Sequence, residues 1–344
     1  NKKYVRHREI DLNELFVIEE VTEKVKAKYD EVCNNIAYFE QYLQQTEDPE
    51  RPLSKNCFKP YDCGFFKHCS AHLATPNVFD ISGKIGDKKY DLVNATDGSF
   101  LQALSKLRLN PAQRLQVETE INDLPPTIVE REIKDFLDQL SYPIYFLDFE
   151  TCQFAIPEYD NSSPYEQIVF QYSLHYIEEE GGELKHTEYL AYPGKDPRRE
   201  LAETLCRDIP TNVCVLAYNM EFEKGRIKTL AKLYPDLSDH LMNIHDNILD
   251  LMIPFSKKSY YTRAMQGSHS IKFVLPALFP NDPSLDYHNL EQIHKGDEAS
   301  RAFLEMATMS KEEVERCRKN LLKYCELDTY AMVKIWEKLI EVAK

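Results

Sequence analysis

Pro143-Ile144-Tyr145-Phe146-Leu147-Asp148 is an apolar, β-rich run that ends on a carboxylate, and Phe149-Glu150-Thr151 continues it. Residues two apart on a strand face the same side, so Asp148 and Glu150 would stand together at the C-terminal end of a buried strand. Two like charges side by side cost free energy unless a cation neutralises them. Hard oxygen ligands of this kind suit Mg²⁺ or Mn²⁺. A strand end that turns into solvent would tolerate the same pair with no ion, so this spacing alone leaves both readings open.

Downstream, residues 169–177 predict a second strand, Gly181-Gly182 a hairpin turn, and residues 184–192 a third strand. Residues 198–207 read as helix, and 212–218 as a buried strand built on Val213, Cys214, Val215, Leu216 and Ala217. A helix over 221–233, a short apolar strand over 248–252 and a long helix over 311–344 follow. Strands alternating with helices after an antiparallel meander give an α/β domain with a mixed sheet. Three meander strands, then helix, strand and helix, describe an RNase H-like fold, with five strands flanked by helices. Upstream, Ile18, Val21, Val25, Tyr29, Val32, Ile36, Phe39 and Leu43 recur at spacings of three and four. They predict one helix over residues 12–45, ended by Pro49 and Pro52. The expected organisation is a helical region with a cysteine cluster at 1–78, a helical connector at 79–140 and the α/β domain at 141–344.

Among 344 residues, 43% are hydrophobic and 29% charged, a soluble globular composition. No run of 18 apolar residues and no secretory segment occurs, which argues against membrane association. The net charge of −15 argues against gripping nucleic acid by bulk charge, though not against an acidic site neutralised by metal ions. Nine cysteines without a signal peptide point to a reducing, cytoplasmic compartment. Cys33, Cys152, Cys206, Cys214, Cys317 and Cys325 are scattered and read as small buried hydrophobes. Cys57, Cys63 and Cys69 are clustered and suggest a metal site. Zn²⁺ would need a fourth ligand such as His68 or His72, a [4Fe–4S] cluster a fourth cysteine, and three reduced thiols in a compact loop remain the plain alternative. Cys33 sits inside the predicted helix and suits the fourth position poorly. A start at Asn1 in place of Met reads as a fragment of a longer chain.

Two further carboxylate elements stand out. Ala217-Tyr218-Asn219-Met220-Glu221-Phe222-Glu223 leaves a buried strand and opens a helix, where α/β sheets tend to build their sites. Asn219 reads as the N-cap, with Glu221 and Glu223 in the first turn; capping alone would account for both glutamates. In the last helix Tyr324 and Asp328 are four apart and share a face, close to the stripe of Leu321, Leu327, Met332 and Ile335. An aspartate on the buried side needs a partner and a metal would serve, whereas a surface acid beside an aromatic needs none.

In this order, Asp148-x-Glu150, Asn219-x-x-Phe222-Glu223 and Tyr324-x-x-x-Asp328 resemble the three motifs of the DEDD (DnaQ-like) 3′–5′ exonuclease superfamily in its Tyr branch, over residues 142 to 344. Asp250-Leu251 is similar to the Asp-Thr or Asp-Leu of that superfamily. Glu223 departs from it, standing where Asp is usual. The resemblance implies hydrolysis of phosphodiester bonds in single-stranded nucleic acid, DNA ahead of RNA. Two Mg²⁺ or Mn²⁺ ions would be held by Asp148, Glu150, Glu223 and Asp328, with Tyr324 orienting or helping to deprotonate the attacking water. Lys272 and Arg226 are candidate phosphate contacts, with solvated surface the plain alternative for each, and Asn219 is a further candidate contact; Phe149, Phe154 and Phe222 could stack on a terminal base, with a core position the alternative for Phe222. More narrowly, Tyr142–Thr151 together with Gly267-Ser268-His269-Ser270-Ile271-Lys272 looks like a bacterial family known as domain of unknown function 2779. Its longer members resemble a RecB-like nuclease segment fused ahead of a DEDD exonuclease, which implies an iron–sulfur cluster for the three cysteines, with the fourth far upstream. The Glu223 departure and the acidic charge keep open a nucleic-acid-binding or scaffold module with a decayed site, and the cysteine region a zinc-stabilised interaction protein.

Overall fold

A computed structural model describes residues 1–344. It divides into two compact units, one of residues 1–4, 8–79 and 84–108, the other of 5–7, 80–83 and 109–344. The division falls inside the stretch read from sequence as a connector.

In the first unit the helix expected over 12–45 is broken. Asp11 caps a single turn, Leu12–Leu15, its carboxylate accepting from the amides of Asn13 and Glu14. The chain leaves in extended conformation at Phe16 and re-enters helix as α1 (Thr22–Leu43), where the Glu20 carboxylate takes the Thr22 N–H. No residue of α1 is buried, and Val25, Tyr29, Val32, Ile36 and Phe39 are each more than half exposed. The periodicity therefore marks a helix here without marking a core face. The buried side chains of this unit include Leu53, Val78, Leu92, Val93, Phe100 and Ala103, and a half-buried trio of Phe58, Phe66 and Phe79 has ring centroids 4.8–5.4 Å apart.

The second unit holds a five-stranded sheet of β1 (Ile144–Cys152), β2 (Ile168–Ile177), β3 (Lys185–Leu190), β4 (Cys214–Ala217) and β5 (Ile248–Asp250). The order is β3-β2-β1-β4-β5, antiparallel between β1, β2 and β3 and parallel between β1, β4 and β5. This is the mixed sheet the sequence predicts, with strand ends displaced by a residue or two. Central β1 alternates two apolar faces. Tyr145, Leu147 and Phe149 pack with residues of α2 (Arg198–Asp208), α3 (Glu221–Leu233) and α4 (Ser238–Asp246). Phe146, on the opposite face, meets Trp336 of α7 (Lys311–Val342) edge-on at 5.7 Å. Between α4 and α7 the chain forms α5 (Ile271–Leu278) and α6 (Gly296–Glu305). Each fully buried apolar side chain contributes roughly 1.5–3 kcal/mol, so the doubly covered β1 is firmly held. A bulge between Glu150 and Thr151 interrupts its pairing with β2 just beyond the second carboxylate. Even-numbered β1 residues face α7, which sets Asp148 and Glu150 under that helix.

Candidate metal centre

Asp148 and Glu150 point from β1 toward α7, which brings Asp328 down onto them. A carboxylate oxygen from each lies within 4.8 Å of the others. Glu150 is buried and the two aspartates are half-buried. The Tyr287 hydroxyl donates to Asp328 Oδ1 at 2.6 Å, and the Tyr324 hydroxyl, one turn up α7, also hydrogen-bonds that carboxylate. The Cys325 thiol lies 3.6 Å from Asp148 Oδ2. Gly296, which opens α6, is so close that a β-carbon there would sit 3.5 Å from Glu150 Oε2.

Glu223 enters from α3. It is 3% exposed, and its Oε2 has no hydrogen-bond partner, an acceptor left without a donor or cation. The loop that delivers it is pinned by Asp250, whose Oδ1 accepts the N–H groups of Asn219 and Met252, each at 2.9 Å. Asn219 adopts φ 69°, the left-handed region that asparagine tolerates, and the N-cap is Met220, which makes no side-chain cap bond. The capping role expected of Asn219 is thus replaced by a turn that hands its amide to Asp250.

Electrostatics follow from this crowding. Burial first, then the fields of Asp328, Glu150 and Glu223, push the Asp148 carboxyl well above its ordinary range. Burial, then Asp328 and Glu223, push Glu150 up to about 8. Glu223 also rises to about 8 through burial, with Asp250 adding and Arg226 opposing. Burial lifts Asp328 only to about 6, because hydrogen bonds from Tyr287 and Tyr324 stabilise its anion. Burial, then Asp328, raises the Tyr324 hydroxyl, so it is held protonated.

The other residues singled out in the sequence are spread more widely. Phe149 is buried, its ring edge-on to Tyr172 at 6.4 Å, and belongs to the core. Arg226 lies over the Phe222 ring at 5.3 Å, hydrogen-bonds Gln167 and projects its field onto Glu223. Lys272 is exposed in the first turn of α5. With Lys295, Tyr287, His294, Tyr324 and Asp328 it lines a cavity of about 780 Å³. Cys57, Cys63 and Cys69 are free thiols, with Cys63 exposed and the other two half-buried. His68 pairs with Asp48, and His72 with the Val93 carbonyl. Of the scattered cysteines Cys152, Cys214, Cys317 and Cys325 are buried, whereas Cys206 is half-buried and Cys33, on the uncovered α1, is exposed.

Sequence reading missed Tyr287, which sits in a short turn with no repeating pattern. It also missed a second group, His175, His186 and Glu326, whose ligand atoms likewise lie within 4.8 Å of one another. His175 and His186 are register partners on β2 and β3, a pairing that no local spacing reveals.

Residues 145–270 match the family model "Domain of unknown function (DUF2779)", in accord with the resemblance carried by Tyr142–Thr151 and Gly267–Lys272. The match takes in Asp148, Glu150 and Glu223 and stops short of α7. The chain is 27% identical to uncharacterized protein MG366 of Mycoplasma genitalium, over 60% of this chain and 33% of that protein. It is 25% identical to uncharacterized protein UU173 of Ureaplasma parvum, over 94% of this chain and 50% of that protein. The chain therefore spans between a third and a half of the length of these curated relatives. No solved structure matches it.

Proposed function

We propose that the second unit is a metal-dependent phosphodiesterase, a 3′–5′ exonuclease of RNase H-like, DEDD type acting on single-stranded nucleic acid, with DNA preferred to RNA. The observation that carries this reading is the gathering of Asp148, Glu150 and Asp328 oxygens within 4.8 Å inside a packed fold. Buried like charges at that separation are costly, and a divalent cation is what offsets the cost. The donor set fits Mg²⁺ or Mn²⁺: it is all oxygen, and the buried Glu223 Oε2 is unpartnered beside it. Asp148, Glu150, Glu223 and Asp328 would hold the ions. When bound, such ions acidify a water and neutralise charge on the phosphoryl group and leaving oxygen.

The chain's own residues supply positioning. Tyr324, kept protonated by burial with its proton directed to Asp328, can accept a hydrogen bond from a water and so orient it, but is poorly suited to take its proton. Tyr287 fixes the rotamer of Asp328. Lys272 and Lys295 line the adjoining cavity, where they can meet phosphate oxygens. An antiparallel meander followed by parallel strands, in the order β3-β2-β1-β4-β5, supports the RNase H-like assignment. The motif order Asp148/Glu150, Glu223, Tyr324/Asp328 supports the exonuclease class.

The test is digestion of 3′-labelled and 5′-labelled single-stranded DNA with Mg²⁺, Mn²⁺ or EDTA, beside Asp148→Asn. A metal-dependent ladder from the 3′ end, lost in a variant that still melts cooperatively, is the expected result. No cleavage of DNA or RNA with either metal, or undiminished turnover by Asp148→Asn, would overturn the assignment.

A further inference from the structure

The second group beneath α7 is not explained by phosphodiester chemistry. His175 on β2 and His186 on β3 face each other across the ladder, ring centroids 4.5 Å apart. His175 Nδ1 lies 2.7 Å from Thr329 Oγ1, Ser173 Oγ lies 2.7 Å from the same oxygen, and His186 Nε2 lies 2.9 Å from Ser173 Oγ. Thr329 directs its own hydroxyl proton to the Glu326 carbonyl at 3.1 Å. Each imidazole thus has one nitrogen engaged with a hydroxyl, Nδ1 of His175 with Thr329 and Nε2 of His186 with Ser173, and its second nitrogen outside that pair. Glu326, exposed on α7, brings a carboxylate oxygen to the same place. An unpartnered carboxylate oxygen also lies close by, on the side of the His186 ring that meets Ser173. Glu188, two residues beyond His186, has its Oε2 4.0 Å from His186 Nε2, and that buried oxygen has no hydrogen-bond partner.

We propose that His175, His186 and Glu326, with Glu188 beside them, form a second cation site that takes a borderline divalent ion of the Zn²⁺ class. Two imidazoles and a carboxylate are the donor set such ions favour, whereas the all-oxygen group around Asp148 suits hard ions. Hydrogen bonds with Ser173 and Thr329 hold both rings in place, as metal-ligating histidines usually require. The ion would tie the β2–β3 hairpin to the turn of α7 that carries Asp328 two residues later. The assignment does not depend on the exonuclease reading.

The experiment uses the whole chain, stripped with EDTA and dialysed against Zn²⁺ or Co²⁺. Bound metal and Co²⁺ visible absorption are read for the wild type, His186→Ala, Glu326→Gln and Asp148→Asn. The wild type is expected to hold one more equivalent of Zn²⁺ than His186→Ala, and Asp148→Asn to keep the Co²⁺ absorption that His186→Ala loses. Glu326→Gln is expected to bind that equivalent at least about tenfold more weakly. Glu326 is exposed, so its variant decides the matter alone if His186→Ala does not fold. Equal zinc content and affinity in the wild type and the folded variants would overturn the proposal, including the case in which all the zinc sits at the cysteine cluster.

Discussion

Asp148, Glu150 and Asp328 on the one hand, and His175, His186 and Glu326 on the other, are two groups held under the same helix, and they differ in what each lacks. The first is made of acceptors. Donors reach Asp328 from Tyr287 and Tyr324, but Glu223 Oε2 stays unpartnered and the acids raise one another's proton affinity. The second mixes donors and acceptors, and Ser173 and Thr329 close most of its network within the protein. The oxygen group is therefore under electrostatic load until a cation arrives, while the imidazole group is a stable polar core with lone pairs to spare. The same perturbation, removal of one polar group, should have opposite effects in the two places.

The largest effect is expected at Asp148. Replacing it with Asn keeps the shape and removes one charge, so turnover should fall about 10²-fold or more, equivalent to about 3 kcal/mol of transition-state stabilisation. The metal-free protein should melt at a higher temperature, because a buried like-charge contact is relieved. Calorimetry in EDTA checks the second half; a lower melting temperature would mean that the acids are not repelling one another. Thr329→Val, one residue beyond Asp328 on α7, is the counterpart. It strips the hydroxyl shared by Ser173 and His175, leaving two buried polar groups without that partner, and should destabilise the protein by about 1–3 kcal/mol. A neutral outcome in urea denaturation would erase the distinction between the two groups.

The contrast also has a pH signature. Glu150 and Glu223 rise from an ordinary 4.5 to about 8 in the folded chain, so folding takes up protons between those values. Their contribution to stability is fully present below about 4.5 and is lost as pH rises through about 8. Metal-free protein should therefore become less stable from pH 5 to pH 8.5, and saturating Mg²⁺ should flatten that slope. His175, pushed down from an ordinary 6.5 to about 4 by burial, works in the other direction: its folded neutral form is favoured, so its contribution is lost as pH falls from about 6.5 through about 4. A metal-free melting temperature that does not change between pH 5 and 8.5 would count against the charge load assigned to the oxygen group.

How legible each group was in the sequence follows from the same geometry. Asp148 and Glu150 share a strand face at i, i+2, and Tyr324 and Asp328 share a helix face at i, i+4, so local spacing already declares them neighbours. Only the meeting of strand and helix needed the fold, and the order of motifs suggested it. His175 and His186 become neighbours through the register of a hairpin whose turn length sets the pairing, and a single sequence leaves that register open. Tyr287 lies in a loop with no period at all. The strands of the sheet were readable because alternating or continuous apolar runs ended at turn residues. The helix over 12–45 was misread in extent because periodicity does not register the Asp11 cap or the extended exit at Phe16.

The smallest effect belongs to the rim. Lys272 is exposed where the oxygen group opens into its cavity, and its field is one of the influences that hold down the Asp328 carboxyl. An exposed charge that meets a phosphate contributes about 0.2–1 kcal/mol and is screened by salt. Lys272→Gln should thus raise the KM for a DNA oligonucleotide by roughly two- to fivefold in low salt, with kcat little changed, and the difference should fade as ionic strength rises. A salt-independent loss confined to kcat would place the lysine on the reacting group itself. In that case the rim and the carboxylates would be one device, and the oxygen group would have a fixed positive charge of its own to set against its load.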